Sequence, residues 1–293
     1  MPKISIIIPV YNNEKDLPIC LDSVLHQSYP RDKYEVIVID NNSTDNTAKV
    51  IKKYRVKYAL EKRQSSYAAR NKGISVAKND ILVFTDADCR PVKNWLESYI
   101  ACYTEYGSKL IAGGIELTME QQNNAWMMYD KLNHMNQKLL VRTKNFAATA
   151  NLMVHKDVFE AVGTFDPELI SGGDSEFGQR ATEKFKMKFC PKALIYHPAR
   201  GSFNGLIKKK YRLGFGFAQR HLKDHGRALG FSDMFRGVIP AIGYLNPDFR
   251  VLKVITEHEL PTSTKMKLKL FGIDFIAKIA QFIGELHGRN KKE

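Results

Sequence analysis

Ile81-Leu82-Val83-Phe84-Thr85-Asp86-Ala87-Asp88 is an apolar run that ends on two carboxylates separated by one alanine. A strand buried on both faces reads as an unbroken apolar segment. Open α/β sheets bind ligands beyond the carboxyl ends of their strands. Asp86 and Asp88, placed there and followed by Pro91, are hard oxygen ligands suited to Mg²⁺ or Mn²⁺. Taken alone, the same pair also reads as a cap for the helix that begins near Val92. The rest of the chain decides between the two.

Upstream, two periodicities alternate. Ile4-Ser5-Ile6-Ile7-Ile8-Pro9-Val10 and Tyr34-Glu35-Val36-Ile37-Val38-Ile39-Asp40 are apolar, β-branched strands, and 56–60 is a third. Between them, Leu17, Leu21, Val24 and Leu25 recur at helical spacing over 14–26. Residues 44–54 form a helix entered from a loop rich in N-capping residues, and 67–77 is helical. Repeated β-α-β units predict an α/β fold on a mainly parallel, doubly wound sheet. Downstream, the pattern predicts helices over 95–106, 156–162 and 174–185, with extended segments over 109–117, 146–154 and 189–197. One amphipathic helix is predicted over 121–140, where Trp126, Met127, Met128 and Met135 suit core packing.

Beyond Gly201 the character changes. Residues 206–222 are helical and basic, with Lys208, Lys209, Lys210, Arg212 and Arg220, and 236–246 is apolar and interrupted by Gly and Pro. The last helix, 265–286, sets Leu268, Phe271, Phe275, Ile279, Phe282 and Leu286 opposite Lys267, Asp274, Lys278, Gln281 and Glu285.

At 293 residues, 44% hydrophobic and 26% charged, the chain can build one large domain or one domain with an appendage. Its net charge of +14 is uneven: 26 Lys and Arg stand against 23 Asp and Glu over 1–191, but 19 against 8 over 192–293. That asymmetry suggests a polyanionic partner: membrane surface, nucleic acid or phosphorylated substrate. Nucleic acid fits least, because no aromatic-interleaved or groove-reading motif accompanies the charge. Cys20, Cys89, Cys102 and Cys190 lie far apart with no C-x-x-C pair, so neither a disulfide nor a zinc site is expected. A reducing, cytoplasmic setting is therefore favoured. Met1-Pro2-Lys3-Ile4 runs directly into strand-like sequence, so no signal peptide is expected. No stretch reaches the ~18 apolar residues of a membrane span.

Four polar clusters follow segments of the sheet: Pro9-Val10-Tyr11-Asn12-Asn13-Glu14, Asp40-Asn41-Asn42-Ser43-Thr44-Asp45, the Asp86/Asp88 pair, and Ser171-Gly172-Gly173-Asp174-Ser175-Glu176. Each alone reads as helix capping; four converging at one sheet edge read as an active site. No G-x-G-x-x-G follows the first strand and no Walker loop occurs, so no glycine cradle holds a pyrophosphate. A divalent ion on Asp86/Asp88, helped by Arg70, is the substitute for neutralising phosphate charge.

These residues, in this order and spacing, resemble the family 2 glycosyltransferases with the GT-A fold over about residues 3–200. The motifs carrying the resemblance are Ser5 to Asn12, Val38 to Asp45, Ala69-Arg70-Asn71-Lys72-Gly73-Ile74, Thr85-Asp86-Ala87-Asp88, and Gly163-x-Phe165-Asp166 leading to Gly173-Asp174-Ser175-Glu176-Phe177. The resemblance implies that Pro9, Val10, Tyr11 and Asp40 hold the nucleotide base, usually uracil, with Arg70 beside the base and phosphates. It implies Asp86 and Ala87 at the ribose, Asp88 on a Mn²⁺ or Mg²⁺ ion, and Asp174 as catalytic base. His197 falls where many members place another metal or diphosphate contact, and Arg200 follows it in a His-Pro-x-Arg run.

Two departures stand out. The family's usual glutamate before the base is Gly173 here, which leaves Glu176 as a candidate for the supporting role. The Q-x-x-R-W motif of processive synthases is absent, so a single addition is expected. The predicted organisation is a GT-A catalytic domain over 1–203, with a nucleotide-sugar half to about 115 and an acceptor half over about 116–203. A basic helical extension follows over 204–293. The predicted activity is inverting transfer of one sugar from a nucleotide-diphosphate sugar, with uridine diphosphate favoured, to a hydroxyl of a lipid-linked or cell-envelope glycan. The extension is expected to rest on the inner, anionic face of a membrane. The rival readings are a catalytically silent relative that binds nucleotide sugar or glycan as a scaffold, and a basic nucleic-acid-binding protein.

Overall fold

The computed structural model describes residues 1–134, 136–226 and 263–289. Two compact units divide them: Met1–Glu116, Met135–Glu168 and Gly173–His197 form the first, and Leu117–His134, Leu169–Gly172 and Pro198–Glu293 the second.

The first unit is built on an eight-stranded sheet of order β3-β2-β1-β4-β7-β6-β8-β5. Its strands are β1 (Ile4–Val10), β2 (Tyr34–Asp40), β3 (Lys57–Leu60), β4 (Ile81–Thr85), β5 (Arg90–Pro91), β6 (Leu110–Thr118), β7 (Asn151–His155) and β8 (Met187–Pro198). β1 runs parallel to β2 and β4, and β2 parallel to β3. The register pairs Val10 with Asp40 and Ile7 with Phe84, so β1, β2 and β4 end together and their polar tails share one edge. Helices α1 (Leu17–Leu25), α2 (Thr47–Ile51) and α3 (Ser66–Val76) make the crossovers. Ile6, Ile8 and Val83 are buried with Leu17, Leu21 and Val24 of α1 in one core.

The sheet is mixed where the sequence pattern predicts a mainly parallel one. β7 pairs antiparallel with both β4 and β6, and β5 antiparallel with β8. Asn151 at the start of β7 holds this half together. Its carbonyl oxygen accepts from Trp95 Nε1 (2.8 Å) and the Tyr99 hydroxyl (2.7 Å) of α4 (Trp95–Tyr106), and its amide donates to the carbonyls of Gly114 and Ala193, each at 2.7 Å.

Two expectations need correction. Residues 121–140 are two helices rather than one, α5 (Ala125–Leu132) and α6 (Gln137–Lys144). Asn136 starts the second by accepting from the Leu139 N–H at 3.2 Å, as Asn124 starts the first by accepting from Trp126 at 2.9 Å. Asparagine side chains compete with helical backbone hydrogen bonds, so the break sits among Asn133, His134 and Asn136; Met135 lies outside the described residues. Cys102 and Cys190, expected to be free, form a disulfide between α4 and β8 across a sequence separation of 88. Sheet topology brings them together, and no local spacing announces it. Cys20 and Cys89 are free and buried.

Helices α7 (Lys156–Val162) and α8 (Gly173–Thr182) complete the first unit. In the second, α9 (Phe203–His225) packs along α10 (Thr264–Arg289). Glycines set their separation: a Cβ on Gly214 would lie 1.9 Å from the Gln281 carbonyl oxygen, and one on Gly284 2.1 Å from that of Tyr211. Such backbone approach selects the small-residue face of α10, and Leu270, Ile273, Ala277, Ala280, Gly284, Glu285 and Gly288 are its buried residues. Leu268, Phe271, Phe275 and Ile279, on the apolar side that the sequence pattern predicts, are exposed. The segment 236–246 lies outside the described residues, and no described helix is long and apolar enough to cross a membrane.

Candidate active site

The first two strand-end loops are stitched to each other. Asn12, at φ +47°, accepts from the Thr44 N–H at 2.8 Å and donates its own N–H to Ser43 Oγ at 3.0 Å. Asn13 N–H donates to Thr47 Oγ1 at 2.9 Å. Asp40 is buried at the end of β2; its Oδ1 accepts from the Ser43 N–H at 2.9 Å and its Oδ2 from the Tyr58 hydroxyl at 3.4 Å. Val10 is buried, Pro9 half-buried and Tyr11 exposed, and Tyr11 follows the residue that the register pairs with Asp40.

Arg70 joins α3 to the end of β4. It is 5% exposed, donates to Asp86 Oδ1 at 2.6 Å and to the Ser66 carbonyl at 3.3 Å, and keeps a buried Nε–H with no hydrogen-bond partner among the described residues. Burial opposes its charge, but Asp86 and Asp174 together hold the guanidinium above its ordinary value. A buried N–H without a partner is costly unless a ligand satisfies it.

Asp88 stands beside His197. The β5–β8 register pairs Arg90 with Tyr196, which sets the preceding residues of β5 against the end of β8. Asp88 Oδ2 lies 3.5 Å from His197 Nε2, and both side chains are partly exposed. Cys89 adds a third potential ligand atom, all within 4.8 Å of one another. Its thiol is pushed well above the ordinary range by burial and then by Asp86 and Asp88, and soft sulfur suits hard Mn²⁺ or Mg²⁺ poorly. One carboxylate and one imidazole remain, which leaves most of a coordination sphere for other oxygen donors, a set that suits Mn²⁺ or Mg²⁺. The residues fit the ion.

Asp174 begins α8. Its rim keeps some exposure, yet surrounding protein desolvates the carboxyl and raises it above the ordinary value of 3.8; Arg70 pulls it down and Asp86 pushes it up. Thr149, itself buried, donates its hydroxyl to Asp174 Oδ1 at 3.0 Å and its N–H to Oδ2 at 3.3 Å. Gly173 donates its N–H to the Tyr67 hydroxyl at 2.9 Å, and a Cβ there would come 2.7 Å from the Tyr67 ring. Tyr67 therefore fills the space where a larger side chain at 173 would begin. Glu176 is held elsewhere, accepting from Arg180 Nε (2.7 Å) and a terminal nitrogen (2.9 Å). Arg200 belongs to the second unit, where its N–H (3.0 Å) and guanidinium (3.3 Å) both reach Asp130.

The structure thus gathers Arg70, Asp86 and Asp174 into one charged cluster, pairs Asp88 with His197, and leaves Glu176 and Arg200 in ion pairs of their own. Thr149 and Tyr67 are the residues of this cluster that sequence reasoning missed: Thr149 bonds Asp174 and Tyr67 bonds Gly173. Thr149 carries no signal, lying among alanines. Tyr67 had one: it precedes Arg70 by three residues on α3, on the same helix face.

A family model for glycosyl transferase family 2 matches residues 5–163 of this chain. The chain belongs to that family. Similar proteins include glycosyltransferase AglE of Haloferax volcanii, 38% identical over 231 residues, 76% of each chain. A Methanococcus voltae dolichyl N-acetyl-alpha-D-glucosaminyl phosphate 3-beta-D-2,3-diacetamido-2,3-dideoxy-beta-D-glucuronosyltransferase is 30% identical over 72% of this chain and 71% of its own length. Among solved structures, the mannosyltransferase PcManGT of Pyrobaculum calidifontis, in complex with GDP-Man and Mn²⁺, matches with a TM-score of 0.62 at 17% identity, over 100% of this chain and 88% of that one. TarS residues 1–349 of S. aureus in complex with UDP-GlcNAc matches at 0.57 and 17% identity, over 97% and 90%. The fold is GT-A, and the chain is a glycosyltransferase.

Proposed function

We propose that this glycosyltransferase moves one sugar, with inversion and divalent-metal assistance, from a nucleotide-diphosphate sugar to a hydroxyl of a lipid-linked or cell-envelope glycan. The observation that carries the reading is Asp174: a desolvated carboxylate, oriented by two hydrogen bonds from Thr149, beside Arg70 and Asp86. A sugar hydroxyl is a poor nucleophile, so a carboxylate within hydrogen-bond reach takes its proton as the new bond forms. One base and direct displacement invert the anomeric centre, whereas retention through a covalent intermediate needs a second carboxylate as nucleophile.

The leaving nucleoside diphosphate gathers negative charge. Arg70 offers its unpartnered Nε–H to a donor oxygen, and Asp88 with His197 would hold the ion. Mn²⁺ or Mg²⁺ bound there would stabilise the leaving diphosphate without a proton transfer. Asp40 accepts from the base N–H, Tyr11 packs on the ring beside Pro9 and Val10, and Asp86 with Ala87 faces the ribose. A uridine diphosphate donor is favoured, in keeping with the UDP-GlcNAc bound by TarS. The Methanococcus voltae relative's dolichyl phosphate substrate supports a lipid-linked acceptor.

The test is ¹H NMR of the initial product, with UDP- and GDP-sugars offered alongside Mn²⁺ or Mg²⁺. Inverted anomeric configuration and loss of turnover in Asp88→Ala support the reading. Retention, or turnover indifferent to Asp88, overturns it.

A further inference from the structure

Helix α10 is apolar on two opposite sides; among the described residues the small-residue side is buried along its length, while the other is covered at Phe282 and Leu286 and exposed before them. Its small-residue side, including Ala277, Ala280 and Gly284, is buried, and Gly214 and Gly284 let it close onto α9. At about 100° per residue, Leu268, Phe271, Phe275 and Ile279 fall on the side facing away, with Ile276 and Ile283 along one margin. All six are 39–69% exposed. A helix lying on a single protein partner normally turns a polar face to water. This one turns phenylalanine, leucine and isoleucine outward.

The charge around the stripe says what it meets. Lys265 and Lys269 border it on one side and Lys267 and Lys278 on the other. The acidic side chain of that border, Asp274, is taken up by the Tyr129 hydroxyl at 2.8 Å and by Lys278. The stripe also opens into a cavity of about 500 Å³, lined by Asn124, Trp126, Lys269, Gly272, Ile273 and Ile276. A second copy of this chain would set lysine borders against each other. An anionic lipid surface neutralises them, while the long lysine stems let the apolar stripe sink below the headgroups.

We propose that the outward stripe of α10 is a docking face for an anionic lipid bilayer, with Phe271, Phe275 and Ile279 seated among acyl chains and Lys265, Lys267 and Lys269 at headgroup phosphates. The inference names the surface on which the proposed lipid-linked acceptor lies, and rests on that reading only for its purpose.

Flotation of the full chain with phosphatidylcholine vesicles, with and without phosphatidylglycerol, tests it. The wild type floats with the anionic vesicles and less so as salt rises. Phe271→Ser/Phe275→Ser/Ile279→Ser, all at exposed positions, loses binding by about tenfold or more. Lys265→Gln/Lys267→Gln/Lys269→Gln loses the preference for phosphatidylglycerol. Trp126 emission shifts to the blue on binding, while Trp95, fully buried, stays silent.

Equal flotation of the apolar triple variant overturns the proposal. So does a wild type that ignores anionic vesicles, the outcome expected if another segment of this chain covers the stripe. A lipid-free dimer that the triple variant dissolves also overturns it, in favour of self-association. Donor turnover measured without vesicles separates the two readings. An active chain that ignores vesicles refutes the docking face alone, and a chain that floats without turnover refutes the transferase mechanism alone.

Discussion

Replacing Gly173 by alanine is expected to destabilise the first unit through a single contact. The added Cβ would lie 2.7–2.8 Å from three Tyr67 ring atoms. Tyr67 cannot retreat easily: it is 5% exposed, stacks on Phe165 with centroids 6.1 Å apart, and lies under Arg70. Overpacking of this kind costs about 1–3 kcal/mol. Alanine returns about 0.4–1 kcal/mol by narrowing the unfolded chain, for a net loss of about 1–2 kcal/mol. Urea unfolding of the full chain, followed by the fluorescence of buried Trp95, measures it. The same alanine in a Tyr67→Leu background should cost less, because the clash is gone, and the difference is the coupling between the two positions. Gly173→Glu should not raise turnover, since the ring already occupies that volume. Wild-type stability in Gly173→Ala, or an equal cost in both backgrounds, would refute the reasoning.

Two further outcomes follow from the charge and cysteine chemistry. Because the folded protein raises the Asp174 carboxyl above 3.8, the native state holds that proton more tightly than the unfolded chain. Stability from this group therefore falls as pH rises from 3.8 through the raised value, while turnover rises over the same window. Thr149→Val removes a bond that favours the charged form and moves the acid limb of the kcat/KM profile to higher pH; an unmoved limb counts against Thr149 as its orienting partner. Native protein should resist alkylation at Cys20 and Cys89, whose thiols burial pushes up. Unfolding without reductant should expose these two thiols, and reductant should add Cys102 and Cys190; four alkylated cysteines without reductant would contradict the disulfide.

The parallel half of the sheet was open to sequence reading because β1, β2 and β4 are buried almost along their whole length. The segments 4–10, 34–40 and 81–85 match β1, β2 and β4 end for end. The extended segments of the antiparallel half were legible too, at β6, β7 and β8, but their pairing was not, because β7 enters between β4 and β6 from far along the chain and such pairing leaves no local pattern. In helix α10 the sequence marks the stripe of largest residues, whereas the contact with α9 falls on glycine and alanine, which permit the closer backbone approach. In the site, Asp40, Asp86, Asp88 and Asp174 were visible because each follows a segment whose end the pattern marks. Thr149 was invisible because only the folded chain brings it to Asp174.

The most direct test of the central claim compares wild type with Asp174→Asn in donor turnover and donor binding, at saturating Mn²⁺ or Mg²⁺ and a shared pH. Loss of a positioned general base lowers rates by about 10²–10⁴-fold, so Asp174→Asn should fall by at least about 100-fold with donor affinity unchanged. Near-wild-type turnover in Asp174→Asn would contradict the assignment of Asp174 as the base.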